Sequence, residues 1–396
     1  MDNCTKCGIC QAYCPVSAAI EAFPGPKYTG PQAQRFRVIG IEDEFSASLC
    51  SGCGICTSVC PNDVAITDII ALAKADMAKN GRRVSFGQRL LNRPDTIGRL
   101  GNIVPWLANY LLGNKRARLL AEHLFGIDRR AALPSFSGDR FERWLRSRRQ
   151  PNGPAIGYFP GCAVTHYDAD TGMAAVRVLN ALGYRVDAPS SRCCALPMLS
   201  SGEWSAGRAR AQSLIGDLAP AAAERAILST STSCSLTLKS KYAAYFDMFD
   251  EKSTRVANAI SDICGYMLDR HGDELAHRFQ PVRRRVLYHG PCQLRGHRLG
   301  LPAAELLAKV PGLELILSQA DCCGVAGTYG YDRNKRPIAD RVGRTLLEQV
   351  ELTKPDMIVC DSETCRWSIA LATGLECVHP VEVFWAALAP TESGRP

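Results

Sequence analysis

The sequence of 396 residues lacks the signatures of nucleotide-binding and zinc-protease sites. No G-x-G-x-x-G pattern follows a strand-like segment, and no Gly-Lys pair occurs, so neither a dinucleotide fingerprint nor a P-loop is present. The pattern H-E-x-x-H is absent as well. These absences exclude a chain that oxidises an alcohol by hydride transfer on its own, so we expect any flavin to belong to a partner.

Long apolar runs are also missing. The nearest candidate, IVPWLANYLL at 103–112, is half of the roughly 20 residues that span a bilayer, so we expect no transmembrane helix. Only MDN precedes the first cysteine, which predicts that the chain carries no secretion signal. We therefore expect the reducing cytoplasm, where the 19 cysteines favour metal ligands over the alternative of a disulfide framework.

The positive charge of the chain is concentrated in one segment. Residues 82–149 carry 15 Lys or Arg and 5 Asp or Glu, a net charge of +10, while the whole chain has +8. Apolar residues with helical spacing lie beside cations there: Ile103, Leu107, Tyr110 and Leu111, next to Lys115, Arg116 and Arg118. This pattern predicts that residues 81–150 form a basic helical linker that docks on an anionic membrane surface. A helix packed on the ferredoxin domain stays an alternative, and no recognition motif accompanies the charge, so we expect no nucleic acid partner.

Two stretches near the N-terminus repeat one cysteine pattern. CTKCGICQAYCP at 4–15 and CSGCGICTSVCP at 50–61 both read C-x2-C-x2-C-x3-C-P, with an offset of 46 residues. In this pattern three thiolates bind one [4Fe-4S] cube, and the fourth goes to the cube of the other motif. We therefore predict two [4Fe-4S] clusters in a ferredoxin-type domain of residues 1–80. The predicted ligands are Cys4, Cys7, Cys10 and Cys60 for cluster 1, and Cys50, Cys53, Cys56 and Cys14 for cluster 2.

Zinc is the alternative metal for these motifs. Structural zinc sites use two separated C-x2-C pairs rather than a run of four cysteines, so iron is favoured. A domain with two cubes has one main use, which is to pass single electrons. Between the motifs, the Pro and Gly density of PGPKYTGPQ at 24–32 predicts a loop. After the second motif, apolar residues with helical spacing predict a helix: Ile66, Ile69, Ile70, Ala73 and Met77.

Residues 151–396 contain a second duplication. IGYFPGC at 156–162 matches VLYHGPC at 286–292, SRCCALP at 191–197 matches ADCCGVA at 320–326, and AILSTSTSC at 226–234 matches MIVCDSETC at 357–365. The offsets are 130, 129 and 131 residues. Offsets as steady as these indicate two copies of one unit. We place copy one at 151–280 and copy two at 281–396.

Each copy alternates strand-like and helix-like segments. In copy two, RRRVLYH, LELILS and DMIVCD read as strands, while LPAAELLAKV and ADRVGRTLLEQVEL read as helices. This alternation predicts a mostly parallel sheet, with three strands in each copy. Loops after parallel strands meet at one sheet edge, so we expect the cysteines of each copy to converge there. The predicted fold class is α/β, with an N-terminal, mostly helical di-cluster ferredoxin domain and a C-terminal pair of pseudo-twofold related α/β repeats.

Eight further cysteines fall at matching positions of the two copies. They are Cys162, Cys193, Cys194 and Cys234 in copy one, and Cys292, Cys322, Cys323 and Cys365 in copy two. Adjacent cysteines make poor disulfides but useful metal ligands, which predicts a further metal site of unusual type. Cys264, Cys360 and Cys377 have no counterpart, and we expect them to be buried apolar residues.

The remaining polar candidates of this region are histidines and one acid. We expect the histidines to be hydrogen-bonding residues rather than ligands, with His289 the nearest to an exception because it precedes Cys292 by three residues. The four are His166, His289, His297 and His379. Glu363 lies beside Cys365 and is a conceivable proton acceptor.

The pattern C…CCG…C, present twice behind two ferredoxin motifs, resembles the cysteine-rich (CCG) domain family. That family includes the B subunits of heterodisulfide reductases and the iron–sulfur subunits of glycolate and lactate oxidases. PGPKYTGP, RRAALPSFSGDRFERW, CCGVAGTYGY and DSETCRW are similar, more narrowly, to the C subunits of anaerobic glycerol-3-phosphate dehydrogenases, over nearly the whole chain. This resemblance implies an electron-transfer subunit without catalytic residues of its own. It would take electrons from FAD-containing subunits that oxidise glycerol 3-phosphate and pass them to membrane quinone.

The resemblance also implies a location. The chain would lie peripherally on the cytoplasmic face of the inner membrane and help to attach the complex there. A heterodisulfide reductase-like subunit and an iron–sulfur subunit of a glycolate or lactate oxidase are the alternatives. The chain departs from the CCG pattern at Ser231 and Ser362, where each copy would carry the first cysteine of a final C-x-x-C, and at Ala195, where the pattern has glycine. Four thiols per copy remain, and the number and type of clusters that they hold stay open.

Overall fold

Residues 3–40, 46–81 and 84–388 are described by a computed structural model of the chain. Six helices surround the two N-terminal cysteine motifs. They are α1 (Ile9–Ala12), α2 (Pro15–Ala19), α3 (Ala33–Arg37), α4 (Ser46–Leu49), α5 (Ile55–Ser58) and α6 (Ile66–Lys79). Gly8 and Gly54 precede α1 and α5 with φ of 86° and 85°. Glycine adopts this left-handed conformation without strain, which lets the chain turn sharply between the cysteines of each motif.

The helix predicted after the second motif is confirmed as α6, but the predicted loop at 24–32 is wrong. Tyr28–Gln32 forms one turn of π-helix that runs directly into α3. Its central residues are buried against α6, where a Cβ on Gly30 would lie 2.9 Å from Cγ2 of Ile66. Packing against this helix therefore overrides the local preference of Pro and Gly for a loop.

The basic segment is helical, as predicted, and packs against both copies of the duplicated region. Its helices are α7 (Phe86–Leu91), α8 (Pro94–Gly101), α9 (Pro105–Gly113), α10 (Lys115–Phe125) and α11 (Arg140–Ser147). Gln88 donates to Oγ1 of Thr328 at 2.9 Å, and Asn92 donates to Oγ of Ser201 at 2.7 Å. Helices α7 and α8 are thus part of the folded body, and α9 and α10 have no buried residue. Residues 82–83, where the segment begins, lie outside the described residues.

The duplicated region contains two four-stranded sheets. Copy one comprises β1 (Ala155–Tyr158), α12 (Gly161–His166), α13 (Ala169–Ala181), β2 (Arg185–Asp187), α14 (Leu196–Ser201), α15 (Trp204–Ala222), β3 (Ile227–Ser229), α16 (Thr232–Leu236), α17 (Tyr242–Phe246), α18 (Glu251–Ala259), β4 (Ile260–Asp262) and α19 (Ile263–Arg278). Copy two comprises β5 (Arg284–Tyr288), α20 (Cys292–Arg295), α21 (Pro302–Leu307), β6 (Leu313–Leu317), α22 (Arg336–Thr353), β7 (Met357–Val359), α23 (Glu363–Thr373), β8 (Cys377–Val378) and α24 (Pro380–Ala387).

Both sheets are parallel and have the same strand order. The orders are β2-β1-β3-β4 and β6-β5-β7-β8. Ile156 pairs with Val186 in the first sheet, and Val286 pairs with Leu315 in the second. The parallel prediction is confirmed, but the prediction of three strands per copy is wrong. The fourth strands are short, at three and two residues, and strands of that length leave no apolar run in the sequence.

The two copies share one apolar core. A single cluster of buried side chains includes Tyr158 and Leu228 from the first sheet and Val286 and Tyr288 from the second. The last helix of each copy packs on the other copy: α24 contacts α13, and α19 contacts α21. This exchange fixes the two sheets relative to each other, because burial of the apolar faces requires both copies.

Candidate metal centre

The eight thiols of the N-terminal motifs separate into two groups. Burial and the neighbouring charges of Cys4, Cys60 and Cys7 raise the pKa of Cys10. The second group is Cys14, Cys50, Cys53 and Cys56, whose mutual charges act in the same way. Each motif therefore contributes three thiols to its own group and one to the other. Whether these groups bind iron stays a prediction.

Burial makes these thiols poor anions on their own. Desolvation raises the pKa of Cys53 well above its ordinary value and raises that of Cys56 to about 12. A buried thiolate requires a compensating cation, and a metal centre supplies one. A donor set of four convergent sulfurs, one of them buried in the Cys7 group and three in the Cys53 group, fits a [4Fe-4S] group in each half of this domain.

The two groups differ in their access to solvent. Cys7 is exposed, and it is the one exposed residue among the 19 cysteines, all of which the structure describes. Cys53 is buried in an apolar cluster with Cys292 and Cys322 of copy two. Gln293 donates to the carbonyl of Gly52 at 3.2 Å across the same boundary. The Cys7 group thus faces outward, and the Cys53 group adjoins the duplicated region.

In each copy of the duplicated region the four predicted cysteines converge. In copy one, the sulfurs of Cys234 and Cys194 lie 3.2 Å apart, and Cys193 lies within hydrogen-bonding reach of Cys162 and Cys194. In copy two the same chain of contacts runs through Cys292, Cys322, Cys323 and Cys365. The adjacent cysteine pairs lie in loops after β2 and β6, and the other four cysteines lie in the first turns of the helices that follow β1, β3, β5 and β7, as expected at the carboxyl ends of parallel strands.

The residue that directly follows each adjacent cysteine pair is left-handed: Ala195 in copy one, with φ of 60°, and Gly324 in copy two, with φ of 90°. Ala326, two residues beyond Gly324, also has a positive φ, of 44°. The backbone N–H groups of Ala195 and Gly324 each donate to the sulfur two residues earlier, at 3.4 Å to Cys193 and 3.3 Å to Cys322. Gly324 is sterically required, because a Cβ there would lie 2.1 Å from the carbonyl oxygen of Ala339. Copy one attains the same turn with a strained alanine.

One cavity of about 390 Å³ joins the two sets of thiols. The eight cysteines of the duplicated region and Cys53 line one part of it, and apolar side chains of α7 to α10 line the rest. Among the described residues, no three His, Cys, Asp or Glu side chains have the geometry of a site for a single metal ion. Thiolate donors from two loop sets around a shared space fit iron–sulfur groups, which are larger than one ion and prefer sulfur ligands.

The two serines that replace family cysteines lie at this site. Ser231 donates to a carboxylate oxygen of Glu363 at 3.2 Å and caps α16 by accepting from the N–H of Cys234. Ser362 lies within hydrogen-bonding reach of Cys365. Burial raises the pKa of Glu363. The serines therefore contribute hydrogen bonds next to the thiols, which support the positions of Cys234 and Cys365.

The histidines behave as expected, with one exception. His166 contacts the amide of Asn102, His297 contacts Ser235, and His379 caps α24 by accepting from Val381. His289 is fully buried, and neither ring nitrogen has a hydrogen-bond partner among the described residues. It is therefore the one histidine of the four that the local hydrogen bonds leave unexplained.

The three cysteines without a counterpart in the other copy lie mostly in the core. Cys264 is fully buried, as expected, whereas the expectation for Cys377 is wrong, because that residue is only half-buried. Cys360 is also fully buried, but its thiol lies within hydrogen-bonding reach of Cys365. Sequence reasoning ranked Cys360 low as a ligand. Its position directly after a strand, five residues before Cys365, was the signal that it would approach the site.

Comparison with known families identifies the same two regions. Residues 1–64 match the family described as a 4Fe-4S dicluster domain. Residues 156–239 and 286–370 each match the family described as a cysteine-rich domain, abbreviated CCG. The two CCG matches cover most of the first three strands of each sheet, end before the fourth, and contain all eight cysteines of the duplicated set.

Curated relatives cover different shares of the chain. The C subunit of the anaerobic glycerol-3-phosphate dehydrogenase of Escherichia coli strain K12 is 33% identical, over 98% of this chain and 98% of its own length. The B subunit of the fumarate reductase (CoM/CoB) of Methanothermobacter marburgensis is 30% identical over 61% of this chain and 46% of its own. Lactate utilization protein A of Bacillus licheniformis is 25% identical over 58% of this chain and 98% of its own.

Proposed function

Because this chain belongs to the family of anaerobic glycerol-3-phosphate dehydrogenase C subunits, we propose that it relays electrons from a flavoprotein partner to membrane quinone. The partner would hold FAD and oxidise glycerol 3-phosphate. One observation carries the proposal: three thiol groups follow one another, from the exposed Cys7 group to the Cys53 group and on to Cys292 and Cys322. Electron transfer through successive one-electron centres requires such a series.

The cysteines that converge would hold the centres. Cluster 1 would be bound by Cys4, Cys7, Cys10 and Cys60, and cluster 2 by Cys50, Cys53, Cys56 and Cys14. The duplicated region would hold a further iron–sulfur group on its two sets of four thiols. When bound, iron–sulfur groups accept and donate one electron at a time. They would therefore carry the two electrons of a reduced flavin singly to a quinone, which takes up two. The chain's own residues hold the thiols close together and keep water from them.

The direction of transfer follows from exposure. A partner flavoprotein reaches the Cys7 group most easily, because Cys7 is exposed while no cysteine of the Cys53 group is exposed. Electrons then leave through copy two, since Cys53 adjoins Cys292 and Cys322. Copy two has Gly324 directly after its cysteine pair where copy one has Ala195, so this one position is strained only in copy one.

The test is a Cys323→Ser variant assembled with its flavoprotein partner. We expect quinone reduction to fall by at least about tenfold while substrate still reduces the N-terminal clusters, observed by electron paramagnetic resonance. Cys377→Ser is the matched control, because Cys377 is half-buried and belongs to neither set of thiols. Unchanged quinone reduction in Cys323→Ser would mean that the duplicated region is structural, and the proposal would then be wrong.

Membrane docking is the second part of the proposal. Of the 24 large apolar side chains that are exposed in the described residues, 11 lie within residues 86–124. Trp106 and Tyr110 on α9 are 73% and 65% exposed, and Leu120 and Leu124 on α10 are 58% and 59% exposed. In the described ranges, no helix is long and apolar enough to cross a bilayer. An exposed apolar face on short helices beside cations is typical of contact with an anionic lipid surface.

Two details of the predicted docking face need correction. Ile103 is exposed but lies in the turn before α9 rather than on the helix, because Pro105 begins the helix. The Arg118 guanidinium is directed inward and donates to the carbonyls of Leu112 and Ala131, so it is unavailable to lipid. Lys115 and Arg116 are exposed and remain beside the apolar side chains.

Sedimentation with anionic vesicles tests the docking face. We expect Lys115→Glu to weaken binding several-fold at low salt, since each cation near an anionic surface contributes about 1 kcal/mol. Lys252→Glu is the control, because Lys252 is an exposed cation on α18, outside the basic segment. Binding that is insensitive to salt and to lipid charge would exclude the electrostatic part of this proposal.

A further inference from the structure

Part of the lining of the shared cavity is apolar and is not needed to hold a group on the thiols. Leu90, Ile97, Leu112, Ala121 and Phe125 line it from α7 to α10, and they are half-buried. A group held by thiols occupies the thiol end, which leaves this end lined by aliphatic and aromatic carbon. Apolar, concave and partly open space of a few hundred Å³ is typical of a site for a small ligand.

Three aromatic rings that contact one another are part of the cavity lining. Phe136 and Tyr167 have ring centroids 5.4 Å apart, and Tyr167 and Trp367 have centroids 6.1 Å apart. All three line the cavity, as does Glu363 beside the thiols. A row of rings next to a few polar groups favours a flat aromatic ligand that carries oxygen atoms at its edge.

The helices that line the cavity are also those with exposed apolar faces. On α10, Ala121 and Phe125 line the cavity, while the adjacent Leu120 and Leu124 are exposed to solvent. On α9, Leu112 lines the cavity and Leu111 is exposed. A lipophilic molecule in the bilayer would therefore find apolar side chains along the whole way from the docking face to the thiols.

We propose that this cavity binds the ring of a lipophilic quinone, with α9 and α10 as its route from the membrane. The proposal rests on the relay function and adds the place where the relay ends. The bound quinone takes up two electrons, delivered singly from the flavoprotein's substrate, and two protons from solvent water, and leaves as the quinol.

The experiment uses the full complex and a photoreactive short-chain quinone. Ala121→Trp fills the cavity, and Leu352→Trp places the same side chain on α22, where Leu352 is 83% exposed and lies outside the docking face and the cavity. We expect Ala121→Trp to reduce labelling of residues 105–136 and to raise the quinone KM by at least about tenfold, a difference of about 1.4 kcal/mol. Leu352→Trp should change neither, and reduction of a water-soluble dye should be equal in both. Leu112→Ala, which removes an apolar wall, is a second variant that should weaken labelling in the same direction.

The outcomes separate this site from the relay itself. Unchanged labelling and quinone KM in Ala121→Trp, with substrate still reducing the clusters, would overturn the proposed quinone site and leave the proposed relay intact. Failure of substrate to reduce any cluster in the unaltered complex would overturn the relay and the cavity together. Labelling confined to residues outside the cavity would overturn the cavity alone.

A second inference comes from His289, which is independent of the cavity. A fully buried imidazole with two unpartnered nitrogens is costly, at about 1–3 kcal/mol for each unsatisfied group. His289 follows β5 directly, and the charges of Cys365 and Cys322, and also those of Arg295 and Asp321, act on its ring. The corresponding residue of copy one, 130 positions earlier, is Phe159, which is also fully buried. The two copies therefore differ at this position by one polar ring.

We infer that His289 donates a hydrogen bond to the iron–sulfur group of copy two and so raises its reduction potential above that of copy one. This rests on the proposed presence of a group on those thiols. A hydrogen bond to a cluster sulfur or a cysteine sulfur stabilises the more negative, reduced form. The higher potential would draw electrons from the Cys53 group toward copy two.

Exchange of the two residues provides the test. We expect His289→Phe to shift the ratio of reduced to oxidised copy-two group about tenfold toward the oxidised form, or about 59 mV for a one-electron couple. Phe159→His should shift the copy-one group in the opposite direction, and His289→Gln, which keeps a donor, should retain part of the original potential. The readout is a redox titration followed by electron paramagnetic resonance, with iron content as the folding control. An unchanged potential in His289→Phe at full iron content would overturn the inference.

Discussion

Removal of the Arg366 guanidinium should destabilise the contact between the two copies. Arg366 is 5% exposed and donates to Asp168 at 2.7 Å and to Thr171 at 3.0 Å, with Glu382 at 3.5 Å. Asp168 and Thr171 belong to copy one, whereas Arg366 and Glu382 belong to copy two. Arg366→Met leaves two half-buried carboxylates, with side chains 15% and 26% exposed, without their cation. Loss of one partner of a buried ion pair costs about 3–5 kcal/mol, and we expect a loss within this range.

The size of this loss should depend on pH. Burial raises the pKa of Glu382, and the charge of Arg366 opposes that rise. Without Arg366 the pKa of Glu382 in the folded state rises further above its unfolded value. A group with a raised folded pKa stabilises the protein below its unfolded pKa and loses that contribution as pH rises. Arg366→Met should therefore be less destabilising at pH 6 than at pH 8.

Anaerobic urea unfolding, followed by far-ultraviolet circular dichroism, measures the effect. Arg298→Met is the control, because Arg298 pairs with Asp63 at the surface with both side chains mostly exposed, and such pairs contribute about 0–1 kcal/mol. Arg366→Lys keeps the charge without the planar fork and should lie between the two. A loss for Arg366→Met no larger than that of the surface control, or one equal at both pH values, would refute the reasoning.

Two further predictions concern the metal centres. The full chain should contain at least about eight irons, as two cubes require, and more zinc than iron on elemental analysis would contradict this. Cys60→Ser should remove the same paramagnetic signal as Cys7→Ser, whereas Cys14→Ser should remove the other. Gly324→Ala should deplete iron in copy two, because its Cβ would meet a carbonyl oxygen at 2.1 Å. Ala195→Gly should stabilise copy one by about 0.5–1 kcal/mol in the same unfolding assay, since it removes a strained φ of 60°.

The sequence predicted those features that depend on periodicity and spacing. The alternation of strands and helices, the parallel sheets and the convergence of the cysteines all follow from local patterns repeated at steady offsets. Helix α6 followed from its apolar spacing. The predicted loop at 24–32 was wrong because burial of Thr29 to Pro31 against α6 is a tertiary effect that local composition does not report.

The way the ferredoxin domain packs on the duplicated region could not be predicted from the sequence. Nothing in the two motifs indicates that Cys53 adjoins Cys292 and Cys322, because a contact between distant segments leaves no periodic signal in one sequence. The same holds for Arg366 and Asp168, which are 198 residues apart. The shared cavity also arises only when helices of the basic segment are packed against both copies.

The differences between the two copies favour electron transfer toward copy two. Copy two adjoins the Cys53 group, has an unstrained Gly324 and carries His289 where copy one has Phe159. If the two copies performed one identical step, none of these differences would be needed. The shared core and the Arg366 ion pair then have a functional consequence, because they fix the distance between the two sets of thiols and the ferredoxin domain. Loosening that contact in Arg366→Met should slow transfer from the Cys53 group to copy two before it reduces iron content.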